Sequence, residues 1–142
     1  KITLLGETPT VRETDPQAYQ LYLEGRYIRL QVSATTIPRA ISLYQRALEI
    51  DPDYAPARAE LAYAYMWNGG IGEMPIDEAF VLADQAIARA LESDPDYAMA
   101  YFVRGTSNIF NKYNFKAGVE DFQHKTLCSP HRMVEEHLGG GG

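Results

Sequence analysis

Apolar residues recur along most of this chain at helical rather than strand spacing. Tyr19, Tyr22, Leu23 and Arg26, followed by Tyr27 and Leu30, lie on successive turns of one predicted helix. Ser33-Ala34-Thr35-Thr36 is a short polar break. Ala40, Ile41, Tyr44, Ala47, Leu48 and Ile50 then form a stripe at i, i+3, i+4 and i+7, which predicts a second helix. Pro38 suits the first turn of that helix, where its missing N–H costs nothing. Pro52 should end it, because the residue before a proline avoids the α region.

The scheme recurs. Leu61, Ala62, Tyr65 and Met66 make a third stripe. The breaker-rich segment 68–75, with three glycines and Pro75, reads as a loop. Ala79, Leu82, Ala83, Ala86, Ile87, Ala90 and Leu91 predict a longer helix ending near Ser93. Tyr101, Phe102, Gly105 and Ile109 follow, with a break at 111–114, and then Phe115, Val119, Phe122 and Leu127. Residues 131–138 read as a last short helix or the start of a further repeat. Residues 1–14 have Pro9 and no helical period, and read as an extended linker. Residues 139–142 are a glycine tail with no part in the fold, and such ends suggest a piece of a longer protein.

The punctuation between helices is itself repeated. Asp51-Pro52-Asp53-Tyr54-Ala55 recurs identically as Asp94-Pro95-Asp96-Tyr97-Ala98. Asp15-Pro16 and Ser129-Pro130 flank these two, so the prolines are spaced by 36, 43 and 35 residues. Repetition on this scale marks a solenoid of stacked units. The pattern resembles the tetratricopeptide repeat. Leu21, Gly25 and Ile28, then Ala40, Tyr44, Ala47 and Pro52, match the family's signature in a first repeat. Leu61, Ala62 and Tyr65, then Ala83, Ile87, Ala90 and Pro95, match it in a second. Tyr101, Gly105 and Asn108, then Gly118, Phe122 and Pro130, match it in a third. Small residues are expected where helices cross, since a larger side chain would overpack the contact. Aromatic residues are expected to fill the gaps between repeats.

The resemblance implies an all-α, right-handed superhelical solenoid of about three helix–turn–helix repeats. It covers residues 15–130, with repeats over about 15–51, 52–94 and 95–130. The sequence departs from the family pattern by two or three extra residues between the helices of the first repeat and about nine in the second. Lys125 and Asn108 also replace an Ala and a Tyr of the signature in the third repeat. The segment from Asp15 to Tyr27 further resembles the opening of repeat regions in bacterial regulators that carry an adenylate cyclase or a winged-helix DNA-binding domain.

The resemblance also implies a concave face lined by the first helix of each repeat. On that face the expected binding residues are Tyr19, Tyr22, Arg26 and Arg29, then Tyr63, Met66 and Trp67, then Met99, Phe102, Thr106 and Ile109. Exposed aromatics, Met and Arg are the residue types enriched at interfaces. The set suits a peptide or domain with apolar anchors and acidic groups near the arginines. Members of the family that bind chaperone tails grip a terminal carboxylate with Lys, Asn and Arg. The matching positions here hold Tyr22, Arg26, Glu60, Met99 and Val103, so that ligand type is not expected.

Composition narrows the classes that remain. The formal net charge is −6, and no basic stripe is present to displace counterions, so direct nucleic-acid binding is not expected. No apolar window is long enough to span a membrane. A single cysteine, Cys128, rules out an internal disulfide and suits a reducing, cytoplasmic setting. His124, His131 and His137 lack metal-ligand spacing, and no phosphate-cradling glycine motif follows a strand. We therefore expect no catalytic residue, no metal and no cofactor. Two function classes are left: a module that binds a protein or peptide in its groove, and a self-association or signal-relay module of a larger regulator. The second predicts a homodimer.

Overall fold

The computed structural model describes residues 13–128, and these form six α-helices. They are α1 (Pro16–Arg29), α2 (Thr36–Ile50), α3 (Ala55–Gly70), α4 (Ile76–Ser93), α5 (Ala98–Phe110) and α6 (Phe115–Cys128). No strand occurs among the described residues. The expected helix at 131–138, the glycine tail and most of the linker lie outside them.

Local chemistry accounts for the boundaries. Asp15 Oδ1 accepts the Gln17 N–H at 2.7 Å and caps α1, with Pro16 in its first turn. Arg26 and Arg29 occupy the last turn of α1, where cations favour the helix dipole. Ser33 Oγ accepts the N–H groups of Thr35 and Thr36 at 3.2 and 3.0 Å, which starts α2 after the polar break. Asp77 and Glu78 stand in the first turn of α4, matched to its positive end. Asn114 Oδ1 accepts the Ala117 N–H at 3.1 Å and caps α6.

The two identical pentapeptides make the same turn. In each, the leading aspartate ends a helix by donating its N–H 2.9 Å to the carbonyl four residues back, Ala47 or Ala90. Its Oδ1 then accepts the N–H of Asp53 or Asp96 at 3.2 Å, a turn typical of Asp before a helix. Thr14, in the segment expected to be linker, donates 2.6 Å to Asp51 Oδ2. The chain is thus tied to the first turn just before α1 begins.

The helices form three hairpins, α1–α2, α3–α4 and α5–α6, stacked in sequence. Packing also joins α2 to α3 and α4 to α5, and α3 touches both α1 and α5. Glycines sit where helices cross. A Cβ on Gly25 would lie 2.5 Å from Tyr44 Cε1, and one on Gly105 would lie 2.7 Å from Phe122 Cε1. These are the small-residue and aromatic positions that the repeat pattern predicts.

One expectation needs correction. The loop predicted at 68–75 begins later, because Asn68, Gly69 and Gly70 complete α3. Gly69 is a packing residue: a Cβ there would meet Ala79 Cβ at 2.6 Å. The close approach of α3 and α4 needs that glycine, so a residue read as a breaker is part of a helix crossing. The connection that remains is 71–75, with Gly72 at φ 84, the left-handed conformation that glycine adopts without strain. The extra residues of the second repeat therefore go mainly into longer helices, of 16 and 18 residues.

A candidate peptide-binding face on the first helices

Since α3 packs against both α1 and α5, the first helices of the three repeats line up side by side. The expected binding residues lie on these helices, but not all are equally accessible. Tyr19 and Trp67 are exposed, at 48% and 37%. Tyr63, Met99, Phe102, Thr106 and Ile109 are half-buried. Tyr22, Arg29 and Met66 are buried. Met66 packs with Phe80, Ala83 and Val103 in the core between the second and third repeats.

Two aromatic groups emerge. Tyr63 stands edge-on to Trp67 at 6.2 Å and to Phe102 at 5.6 Å, and Phe102 continues to Phe122 at 5.7 Å. This run crosses from the second repeat to the third. The other group is Tyr19, Tyr22 and Tyr54, with centroid separations of 6.1 and 5.4 Å. Thr106 donates its hydroxyl to the Phe102 carbonyl at 3.0 Å, so it is satisfied within α5.

Between the two groups lies a polar cluster centred on Glu60. Glu60 is buried on α3. Its Oε1 accepts Arg29 Nε at 2.8 Å, and its Oε2 stands 3.8 Å from Arg26 Nε. Tyr44 from α2 donates its hydroxyl to Oε1 at 3.5 Å. The Arg29 guanidinium also lies 5.0 Å over the Tyr63 ring, and that of Arg26 lies 5.7 Å over Tyr22. Tyr97, from the second pentapeptide, interacts with the Tyr22 hydroxyl. Burial pushes the hydroxyls of Tyr22, Tyr44 and Tyr97 above the ordinary tyrosine value, and the nearby Glu60 charge adds to the shift.

The arginine pair expected to await acidic ligand groups thus converges on an internal carboxylate. Arg29 is buried against Glu60 and Tyr63. Arg26 keeps half of its side chain in solvent. Two arginines against one carboxylate leave the cluster with an excess of one positive charge. Sequence reading missed Glu60 because one carboxylate in a helix ordinarily marks a solvated face. The available signal was its setting: Ala57, Ala59, Leu61, Ala62 and Ala64 surround it.

A second buried carboxylate organises the third repeat. Asp121 accepts Arg104 Nε and Nη2 at 3.1 and 2.7 Å and Asn108 Nδ2 at 2.9 Å. Asn108, which departs from the repeat signature, has a structural partner there. Arg104 lies over Tyr101, and Tyr101 stacks on His124 at 3.6 Å. Among the described residues no group of His, Cys, Asp and Glu could hold a metal ion, and no helix is long and apolar enough to cross a membrane.

Comparisons with known proteins agree with this architecture. The tetratricopeptide-repeat family model matches residues 32–72, which span α2 and α3. A solved structure described as the second TPR of Spaghetti (RPAP3) bound to HSP90 peptide SRMEEVD superposes with a TM-score of 0.61. It is 24% identical, and the match covers 80% of this chain and 94% of that one. A protein of Rhizobium meliloti (strain 1021), named "Putative adenylate cyclase 3", is 35% identical over 81 residues. That match takes in 53% of this chain but 14% of the relative.

Proposed function

We propose that this tetratricopeptide-repeat domain is a non-catalytic interaction module that holds a peptide or protein segment against the face formed by α1, α3 and α5. The observation that carries the reading is the aromatic run Trp67–Tyr63–Phe102, which crosses two repeats and is only partly covered. Rigid aromatic side chains give large contact area at low entropic cost, and such residues dominate binding hot spots. Met99 and Ile109 add half-buried apolar side chains on α5, and Tyr19 stands on α1 beyond the Glu60 cluster. Arg26, with the cluster's excess positive charge behind it, suits one acidic group of the ligand. The solved neighbour with a bound peptide supports a peptide as the ligand class.

The test is selection of peptides from a displayed random library on the domain, followed by titration of a selected peptide. Trp67→Ala and Phe102→Ala should each weaken that peptide by at least about tenfold, the effect of losing a hot-spot aromatic. Unchanged affinity in both variants would place the binding surface elsewhere.

The similarity to the Rhizobium protein favours a second setting for the same surface. In a protein about four times as long as this chain, as that relative is, the segment held would belong to the same polypeptide, and the domain would relay a signal to an attached catalytic or DNA-binding region. Co-purification of 13–128 with the separately expressed remainder of the parent protein, and its loss in Trp67→Ala, tests that reading.

A further inference from the structure

The three first helices align on their crossing residues, Gly25, Ala62 and Gly105. In α3 and α5 the positions facing the preceding repeat are small and completely buried. They are Ala57 and Ala64 in α3, and Ala100 and Ser107 in α5. Ala57 and Ala64 share a cluster with Ile37, Tyr44 and Ala47 of α2. Ala100 packs with Ala90 of α4, and Ser107 donates 2.9 Å to Asp84 of α4. In α1 the same positions hold Gln20 and Tyr27, both exposed. A repeat docked on α1 in the stack's own geometry would have to fit these two side chains where the other joints fit Ala or Ser. Overpacking of that size is strongly disfavoured. This face of α1 thus differs from the faces that α3 and α5 turn to the preceding repeat.

A face of a repeat stack left open to water is ordinarily polar, for solubility. This one is not. Leu23 and Tyr27 on α1 and Leu30, the residue that caps its C-terminus, follow i, i+4, i+7 spacing and are 37%, 70% and 71% exposed. Leu23 and Tyr27 border an open cleft of about 460 Å³ whose lining includes Glu24 from α1 and Arg39 from α2. These two have opposite charges, and neither forms an ion pair among the described residues.

We propose that this face is a homodimer interface, where a second copy packs stripe against stripe about a two-fold axis. Glu24 of each copy then meets the partner subunit's Arg39. A two-fold contact requires a self-complementary patch, in which residue i meets j and j meets i. An apolar stripe beside a cleft that holds one acid and one base meets that requirement. The proposal stands apart from the groove reading: the dimer face lies on the outer side of α1, on residues other than the aromatic run. It places self-association at α1.

The test is the mass of the chain by sedimentation equilibrium over about 1–500 μM, the range of ordinary reversible dimers. The expected result is a concentration-dependent rise that stops at two chains. Tyr27→Glu with Leu30→Glu should hold the mass at one chain throughout, with unchanged helix content, since both side chains are exposed. Glu24→Arg and Arg39→Glu should each weaken the dimer about fivefold or more, and the double exchange should restore it to within about twofold. A wild-type mass fixed at one chain overturns the proposal. So does growth beyond two chains, a dimer indifferent to the double glutamate variant, or a charge exchange that fails to restore.

Discussion

Arg29 Nε stands 2.8 Å from Glu60 Oε1, and this pair joins the last turn of α1 to the middle of α3 across the first repeat boundary. Both side chains are almost fully withdrawn from water. A buried ion pair adds little net stability over an apolar pair of similar shape, but removing one member leaves an uncompensated charge. Glu60→Gln should therefore destabilise the domain by about 3–5 kcal/mol. Arg29→Met combined with Glu60→Leu should recover most of that loss. Urea unfolding of the three proteins checks both signs, and equal stability of wild type and Glu60→Gln would refute the assignment.

The same cluster sets a response to alkali. Burial raises the hydroxyl pKa of Tyr22, Tyr44 and Tyr97 above 10.0 in the folded chain. In the unfolded chain these groups lose their protons near the ordinary value, while the folded state keeps them. Above that value the unfolded state binds fewer protons, so stability falls as pH rises. Below it the contribution is fully present. Urea midpoints should hold level up to about pH 9 and then drop through about pH 10–11. Tyr97→Phe removes one of the three hydroxyls, and its slope should be shallower over the same interval.

Two glycines predict opposite signs for the same substitution. The Cβ of Gly25→Ala would press on the ring of Tyr44, which is completely buried and has no room to move. That variant should lose about 1–3 kcal/mol despite alanine's better helix propensity. Gly70 lies in α3, and a methyl group on its Cα would have nothing within 4 Å. Gly70→Ala should gain up to about 1 kcal/mol from propensity alone. Thermal melts side by side suffice, and a stabilised Gly25→Ala would contradict the close crossing.

These contrasts show where the sequence speaks and where it does not. The stripe from Ala40 to Leu48 has one apolar face, so its helix and burial are both legible. Proline phasing and the two pentapeptides mark the joints. Gly69 and Gly70 are adjacent and alike in sequence, yet only Gly69 faces a neighbouring helix. Nothing local distinguishes them, because the difference is made by Ala79 on α4. Arg29 and Glu60 are likewise ordinary helical charges until the stack brings them together. The binding face is legible as a set of helices, through the repeat resemblance. Its electrostatics are not, because they depend on contacts between helices 31 residues apart in sequence.

The pentapeptides offer an internal control for the turn chemistry. Asp51 and Asp94 each accept the N–H two residues ahead at the same 3.2 Å distance. Asp51 alone also accepts the Thr14 hydroxyl, at 2.6 Å. Alanine at either position removes the turn bond and leaves an N–H to find water, at a cost of about 1 kcal/mol. Asp51→Ala should cost about 0.5–1.5 kcal/mol more than Asp94→Ala, the worth of one further hydrogen bond. Thr14→Val isolates that extra contribution: it should destabilise the wild-type chain by a similar amount and the Asp51→Ala chain hardly at all. A double-mutant cycle over Thr14 and Asp51 measures the coupling directly. A coupling near zero would mean that the segment before α1 is held to the first turn by something other than this bond.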